Sequence, residues 1–125
     1  MRYYSEDHVW VQLCDAIATL GVSPHAAEEL GELTFVELPR PGAHFARGDV
    51  LCVVESVKTA ADICCPVGGT VCAVNHRLDD QPALVNSSPA GDGWICRLTD
   101  IAPADLRCLL TTEQYDAFLA KQPGL

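Results

Sequence analysis

Lys58 is the residue of this chain whose position most favours chemistry. It is one of two lysines, and it ends the polar segment 55–58 between two apolar runs, Val50–Val54 and Ile63–Val67. Runs rich in β-branched residues on either side of a short polar segment predict a β-hairpin with the lysine at its turn. An amine presented in this way could be acylated and carry a flexible group on the lysine stem. It could also be an ordinary charge that keeps a strand edge soluble.

Two glycine turns flank the predicted hairpin at similar distances. Gly48 lies ten residues before Lys58, and Gly69 lies eleven residues after it. Each turn joins a β run of similar length to the hairpin, so the lysine is near the centre of two mirrored strand–turn–strand units. Such units close into a flattened two-sheet β structure with the lysine turn protruding at one end. Short strands at this spacing are typical of small sandwiches and barrels.

Further strands are predicted from β-branched and aromatic residues bounded by turn formers. They cover Tyr3–Leu13, Ala16–Val22, Leu33–Leu38, Thr70–Asn75 and Trp94–Leu98. The segment 79–93 is rich in polar and breaker residues, which predicts a loop.

Capping residues indicate two helical regions. Ser23, followed by a proline, predicts the start of a short helix, and Gly31 predicts its end. Helical sequence resumes at Pro103. Thr111 and Gln114 have the spacing of a capping box at the start of a further helix.

Length and charge limit the possible functions. The 125 residues, 49% of them hydrophobic, suit one domain over 1–125 with a helical extension at 103–121. The net charge of −9 argues against nucleic acid binding, because phosphate binding needs clustered lysine and arginine. An acidic surface fits partners with basic docking surfaces, or it serves only to prevent self-association.

Hydropathy and cysteine usage predict a cytoplasmic monomer without a membrane segment. No apolar run reaches the ~18 residues of a membrane span, and the acidic start lacks a signal core. The seven cysteines are an odd number without a C-x-x-C pair. They are therefore interpreted as reduced thiols rather than a zinc or redox site.

The residues around Lys58 resemble a known family. The pattern is Phe45-x-x-Gly48-Asp49-x-Leu51-x-x-Val54-Glu55-Ser56-Val57-Lys58-x-Ala60-x-Asp62-Ile63-x-x-Pro66. It is similar to the lipoyl-lysine hairpin of the glycine cleavage system H-protein. The likeness runs from about Tyr3 to Leu119 and includes Gly-Asp-Gly-Trp at 91–94. Biotin carriers, the nearest relatives in fold, flank their lysine with methionines, whereas this chain has Met1 alone.

The resemblance implies a fold, a cofactor and a set of partners. The fold is a mainly β, lipoyl-domain-like barrel-sandwich hybrid of two small antiparallel sheets, with one short helix in the N-terminal half and helices at the C-terminus. The cofactor is lipoic acid in amide linkage to Lys58. The chain itself would be a non-catalytic carrier. It would shuttle the aminomethyl group of glycine from a pyridoxal-phosphate glycine decarboxylase to an aminomethyltransferase, and dihydrolipoamide dehydrogenase would reoxidise the arm.

The resemblance also implies roles for individual residues. Glu55 and Ser56 match positions read by the lipoate ligase or the octanoyl or lipoyl transferase that modifies the lysine. Either could instead be an ordinary strand-end or turn residue. Asp62, Glu29 and Asp7 match or neighbour positions of the cleft where the loaded arm rests, although Asp62 could also be a strand-edge charge. No catalytic residue and no metal site are implied.

One position departs from the family pattern. The family reads His-Glu-Trp near its start, where this chain has His8-Val9-Trp10. That glutamate helps to hold the charged loaded arm, so Glu29 and Asp7 are expected to compensate. Two further functions stay open at this point. One is an H-like protein that carries lipoate for relay, redox or signalling use; the other is an interaction domain without the modification.

Overall fold

The structure is a computed structural model that describes residues 2–121, so Met1 and residues 122–125 of the predicted domain lie outside the described residues. The described part is mainly β, with two antiparallel sheets and several short helices. Its strands are β1 (Arg2–Tyr4), β2 (Val9–Cys14), β3 (Ile17–Val22), β4 (Leu33–Glu37), β5 (His44–Phe45), β6 (Val50–Ser56), β7 (Ala60–Cys64), β8 (Gly69–Val74), β9 (Cys96–Thr99) and β10 (Leu110–Thr111). Its helices are α1 (Pro24–Leu30), α2 (Arg77–Asp80), α3 (Leu84–Ser87), α4 (Pro103–Leu106) and α5 (Thr112–Lys121).

The two sheets form the predicted barrel-sandwich hybrid. The larger sheet has the strand order β10-β1-β2-β3-β9-β8-β5, and the smaller sheet has the order β4-β6-β7. Their inner faces share one core, to which Leu20 and Leu98 contribute from the larger sheet and Val36 and Val54 from the smaller. The small sheet therefore presents the β6–β7 hairpin on a rigid, two-layered body.

Most predicted elements are present with shifted ends. The N-terminal run is divided into β1 and β2, because Ser5 N–H bonds Val9 O and His8 N–H bonds Ser5 O in a turn between them. Asp15 and Ala16 both have a positive φ, so they form the next turn and β3 begins one residue later than predicted. The two antiparallel sheets are present as predicted, and β5 and β10 add at the edges of the seven-stranded one.

The segment 79–93, predicted as a loop, includes the end of the short helix α2, which begins at Arg77, and all of α3. Asn75 fixes the entry and the exit of this segment, since its side-chain amide donates to Asp92 O at 2.7 Å and to Trp94 O at 2.8 Å. Leu78 and Val85 are buried in the core, one from each helix. Single turns of helix held by one apolar residue each are too short for a periodicity signal in the sequence.

The predicted helix caps are confirmed. Ser23 Oγ accepts the Ala26 N–H at 3.2 Å at the start of α1. At the start of α5, the Gln114 side chain accepts the Thr111 N–H at 2.9 Å, and Thr111 Oγ1 accepts the Gln114 N–H at 3.2 Å. These caps satisfy backbone donors that a helix leaves unpaired at its first turn.

Buried thiols behave as small apolar side chains in this core. Cys52, Cys65 and Cys96 are buried, and none of the seven cysteines is in a disulfide. Burial raises the pKa of Cys52 to about 12 and that of Cys65 to about 11. These groups therefore stay protonated at neutral pH.

Tyr115 attaches α5 to the N-terminal part of the chain. Its hydroxyl donates to Ser23 Oγ at 2.8 Å and lies 2.7 Å from His8 Nδ1. Its ring stacks on Tyr4, with the ring centroids 4.3 Å apart. One residue thus connects the C-terminal helix to the N-cap of α1 and to the turn before β2.

We expect Tyr115→Phe to lower the free energy of unfolding by about 1–2 kcal/mol, because it removes one buried hydroxyl and leaves two partners unsatisfied. Urea denaturation of the variant and the parent measures this difference. Tyr4→Phe is the matched control, since the Tyr4 hydroxyl makes no hydrogen bond within residues 2–121. Equal stability of the two variants would show that the Tyr115 hydroxyl does not hold α5 in place.

Candidate functional site

Ser56 organises the turn that carries Lys58. Its N–H donates to Thr59 O at 2.7 Å, closing the turn between β6 and β7. Its hydroxyl accepts the Thr59 N–H at 3.2 Å and the Lys58 N–H at 3.3 Å. Side-chain to backbone bonds of this kind are a usual way for serine to fix a turn. The turn role open to Ser56 from the sequence is thus directly supported by geometry.

Lys58 is exposed at the tip of the hairpin, as predicted. Across residues 2–121 its ammonium makes no ion pair within 4.0 Å, and no side-chain hydrogen bond involves it. Val57, beside it, is 85% exposed. An unpaired amine on an ordered turn is well placed for acylation, because no existing contact of the charge has to be broken.

Gly31 lies beneath the lysine stem. A Cβ on this residue would be 3.2 Å from Lys58 Cε and 3.7 Å from its Nζ. Gly31 has φ +76° and ψ −177°, a conformation that is essentially restricted to glycine. The residue that ends α1 therefore also leaves the space in which the outer part of the lysine side chain, Cδ to Nζ, lies.

Asn86 of α3 holds the Gly31 loop in place. Its side-chain amide donates to Gly31 O at 2.6 Å and to Ala27 O at 3.2 Å. Its side-chain oxygen accepts the Leu33 N–H at 2.8 Å. The amide thus joins the end of α1 to the start of β4. No local pattern in the sequence indicates this role of Asn86, because its partners lie more than fifty positions away along the chain.

An open groove of about 1180 Å³ runs along one side of α1. Its walls are Pro24, Ala27, Glu28 and Gly31 on the helix side, and the segment 80–91 on the other. The groove begins beside Lys58, because Gly31 lines the groove and also lies next to the Lys58 side chain. Asp7, Glu29 and Asp62, the residues expected near the arm cleft, are not among its lining residues.

The expected cleft residues are instead grouped around His8, His25 and Cys64. Glu29 Oε1 lies 3.0 Å from His25 Nε2, in an exposed i, i+4 pair on α1. The rings of His25 and His8 are 4.9 Å apart. Asp7, which follows Glu6 in the turn between β1 and β2, is also exposed. Glu29 and Asp7 therefore lie outside the walls of the large groove.

Electrostatic effects connect these groups. Burial lowers the pKa of His8, and His25 lowers it further, against the opposing effects of Glu29 and Asp7. Burial raises the pKa of the Cys64 thiol, and Asp7 and Asp62 raise it further. Asp7 thus lies within electrostatic range of both His8 and Cys64, while Glu29 acts on His8 and Asp62 acts on Cys64.

Val9 lies in the core with 1% of its surface exposed. It pairs with Val22 across β2 and β3, and its N–H donates to Ser5 Oγ at 3.2 Å. A carboxylate at this position would be surrounded by apolar neighbours in the present packing. Asp7 and Glu29, the two residues expected to compensate for the family's glutamate at this position, are both exposed.

Histidines and cysteines do not form a metal centre in the described part of the chain. No group of three or more histidine, cysteine, aspartate or glutamate side chains there has the geometry to hold a metal ion. The His8 ring packs against the rings of His25 and Tyr115, and His25 pairs with Glu29. No helix within residues 2–121 is long and apolar enough to cross a membrane.

Comparison with known proteins gives consistent matches over nearly the whole chain. The model of the family described as Glycine cleavage H-protein matches residues 2–122. The glycine cleavage system H protein of Thermotoga maritima is 38% identical over 122 residues, which are 98% of each chain. That of Coxiella burnetii is 44% identical over 118 residues, 94% of this chain and 91% of the relative. The crystal structure of the H protein from Mycobacterium marinum superimposes with a TM-score of 0.84 at 31% identity, covering 95% of this chain and 96% of that one.

We expect Gly31→Ala to destabilise the protein by about 1–3 kcal/mol through backbone strain. The new methyl group should also displace the Lys58 side chain, shifting the NMR signals of its Cε protons. Gly42→Ala is the control, because Gly42 has a φ of +89° with no atom within 4 Å of the position of a Cβ. Unmoved Lys58 signals in Gly31→Ala would contradict the contact between these residues.

We also expect a pH dependence that belongs to His8. Its pKa in the folded state lies below its ordinary value of 6.5, so the unfolded chain binds the proton more tightly. The resulting stability is complete above pH 6.5 and is lost as the pH falls towards the folded-state pKa. Unfolding measured between pH 8 and pH 5 should show a smaller loss of stability in His8→Asn, because the variant lacks the imidazole that takes up the proton. Asparagine is the replacement because it tolerates the positive φ of this residue.

His76→Asn is the control for this measurement. His76 is exposed, and its Nδ1 lies 3.4 Å from Asp79 Oδ2 at the surface. It should keep the pH dependence of the parent, and a loss of the dependence in this variant instead would assign the effect to surface charge.

Proposed function

Because this chain belongs to the glycine cleavage H-protein family, the lipoyl carriers of the glycine cleavage system, we propose that Lys58 is the residue that carries lipoate, in amide linkage to Nζ. The observation that carries this proposal is an exposed amine that has no ion pair among residues 2–121 and is held on an ordered turn next to a glycine that leaves room for its stem. Lipoate, when bound, would supply the dithiolane that accepts and releases the aminomethyl group of glycine.

The contacts around Lys58 fit an acylated side chain. Acylation removes the positive charge, so a buried or paired lysine would leave an unsatisfied partner. Here the charge has no partner in the part of the chain that the structure describes, and the formal net charge changes only by one unit, from −9 to −10. Gly31 supports the aliphatic part of the stem, which acylation leaves unchanged.

The task of the protein chain is presentation. Ser56 fixes the turn, β6 and β7 fix its direction, and the two-sheet body prevents the tip from folding back. An arm tethered to such a tip has a high effective concentration at any active site that accepts the hairpin. The family works with the other components of the glycine cleavage system. For this chain we propose a decarboxylase, an aminomethyltransferase and a dehydrogenase that acts on the dihydrolipoyl group, with no catalytic group of its own.

We place the resting site of the loaded arm on the side of α1 that carries Glu29. Asp7, Glu29 and Asp62 are exposed carboxylates within electrostatic range of His8 or Cys64, and a loaded arm would bring a positively charged amine. Opposite charges at partly exposed positions attract each other modestly, which suits a group that must later leave. For the enzymes that attach the arm, we propose Glu55 as a recognised residue, with Ser56 acting through the shape of the turn.

We expect Lys58→Arg to abolish lipoylation when the chain is co-expressed with a lipoate ligase and lipoic acid. Arginine keeps the charge but its guanidinium is not acylated by such enzymes. Intact-protein mass spectrometry should show the lipoyl adduct on the parent and none on the variant. Lys121→Arg, which replaces the other lysine, should be modified like the parent; adduct loss there would move the attachment site.

The lipoylated parent should then support exchange of labelled bicarbonate into glycine on a glycine decarboxylase. Lys58→Arg sets the background, because it presents no arm. Exchange no higher than this background, on fully lipoylated parent, would exclude glycine turnover and leave lipoate relay as the use of the arm.

A further inference from the structure

The outer face of the small sheet carries apolar and acidic side chains but no basic ones. Leu33 and Val36 of β4 point into the core, so Phe35 and Glu37 point outwards. Two rows of outward residues cross the sheet. The first row is Phe35, Glu55 and Ala60, and the second is Glu37, Val53 and Asp62.

Phe35 is uncovered, unlike the two tryptophans, Trp10 and Trp94. Arg2 lies over the Trp10 ring and Arg97 lies over the Trp94 ring, each 4.1 Å from the ring centroid. Phe35 is 49% exposed, and within residues 2–121 no arginine or aromatic ring is stacked on it. The intramolecular cations thus cover the tryptophans and leave the phenylalanine beside the hairpin open.

The three outward carboxylates are also without partners. Glu37, Glu55 and Asp62 take part in none of the ion pairs formed within residues 2–121. A sheet surface with one large apolar residue among unpaired carboxylates complements a surface with an apolar pocket among basic residues. This surface continues to Lys58, because Glu55 of the first row is three residues from the lysine.

We propose that the outer face of the small sheet is the docking surface for the enzyme that acylates Lys58, with Phe35 as its apolar anchor. Glu37, Glu55 and Asp62 attract the basic rim of that enzyme. The proposal rests on Lys58 being the attachment site, and it adds β4 to the elements that the enzyme contacts.

The attaching enzyme must approach Lys58 more closely than the enzymes of glycine turnover do. The attaching enzyme must bring its active site to Nζ of an unmodified lysine, which extends on a four-carbon stem. Its body must therefore cover the turn and the neighbouring sheet. An enzyme that acts on the dithiolane meets its target at the far end of a longer arm, so it can engage the carrier without covering Phe35.

The test is the steady-state kinetics of lipoylation by a lipoate ligase, with the unmodified carrier as the varied substrate. Phe35→Ala should lower kcat/KM about tenfold, as expected for the loss of one anchor residue, with most of the change in KM. Glu37→Gln, which removes a charge but little volume, should lower kcat/KM less and make it less sensitive to salt. Thermal unfolding of both variants establishes that they are folded.

Ile17→Ala is the matched control, because Ile17 is an exposed apolar residue, 37% exposed, on the larger sheet. It should be lipoylated like the parent. Parental kinetics for folded Phe35→Ala and Glu37→Gln would overturn the docking proposal, while absence of Lys58 modification on the parent would instead overturn the proposed function.

A second measurement checks which enzyme uses the surface. Phe35→Ala, lipoylated to completion by long incubation, should support bicarbonate exchange at the rate of the lipoylated parent. A reduction in exchange as large as that in lipoylation would overturn the assignment to the attaching enzyme.

Discussion

The surroundings of the Lys58 side chain depend on the three hydrogen bonds of Asn86. They join α3 to the last turn of α1 and to the first residue of β4, and thereby fix Gly31. Gly31 in turn leaves the space that the stem of Lys58 occupies. Without these bonds, the backbone groups of Gly31 and Leu33 would lose their partners at the place where the two sheets are connected. The tip of the hairpin is therefore positioned by residues from three separate parts of the chain.

Sequence reasoning succeeded where the signal was local. The turn at Lys58, the N-cap at Ser23 and the capping box at Thr111 each depend on residue types within about four positions. Spacing alone defined them, and the structure has each one in place. The family likeness added the sheet arrangement, which no single strand encodes, and the fold of the H protein from Mycobacterium marinum agrees with it.

Sequence reasoning failed where a contact joins distant residues. Asn86 resembles any other polar residue of a breaker-rich segment until its partners on α1 and β4 are known. The seventh strand of the larger sheet, β10, pairs with β1 across more than one hundred residues. The exposure of Phe35 follows from a register shift between Leu33 and Phe35, which leaves Thr34 and Phe35 both outward. Simple alternation would have placed Phe35 on the same inner face as Leu33.

The scarcity of lysine has a consequence for the fidelity of modification. Lys121, the other lysine, is the last residue of α5. Apart from histidine, the remaining basic side chains are arginines, and a guanidinium is acylated far less readily than the amine of a lysine. Arginine performs the structural tasks of a cation here, stacking on Trp10 and Trp94. A carrier of this composition offers few other side-chain amines to an activated acyl group, so an attaching enzyme has few wrong positions to discriminate against on the same molecule.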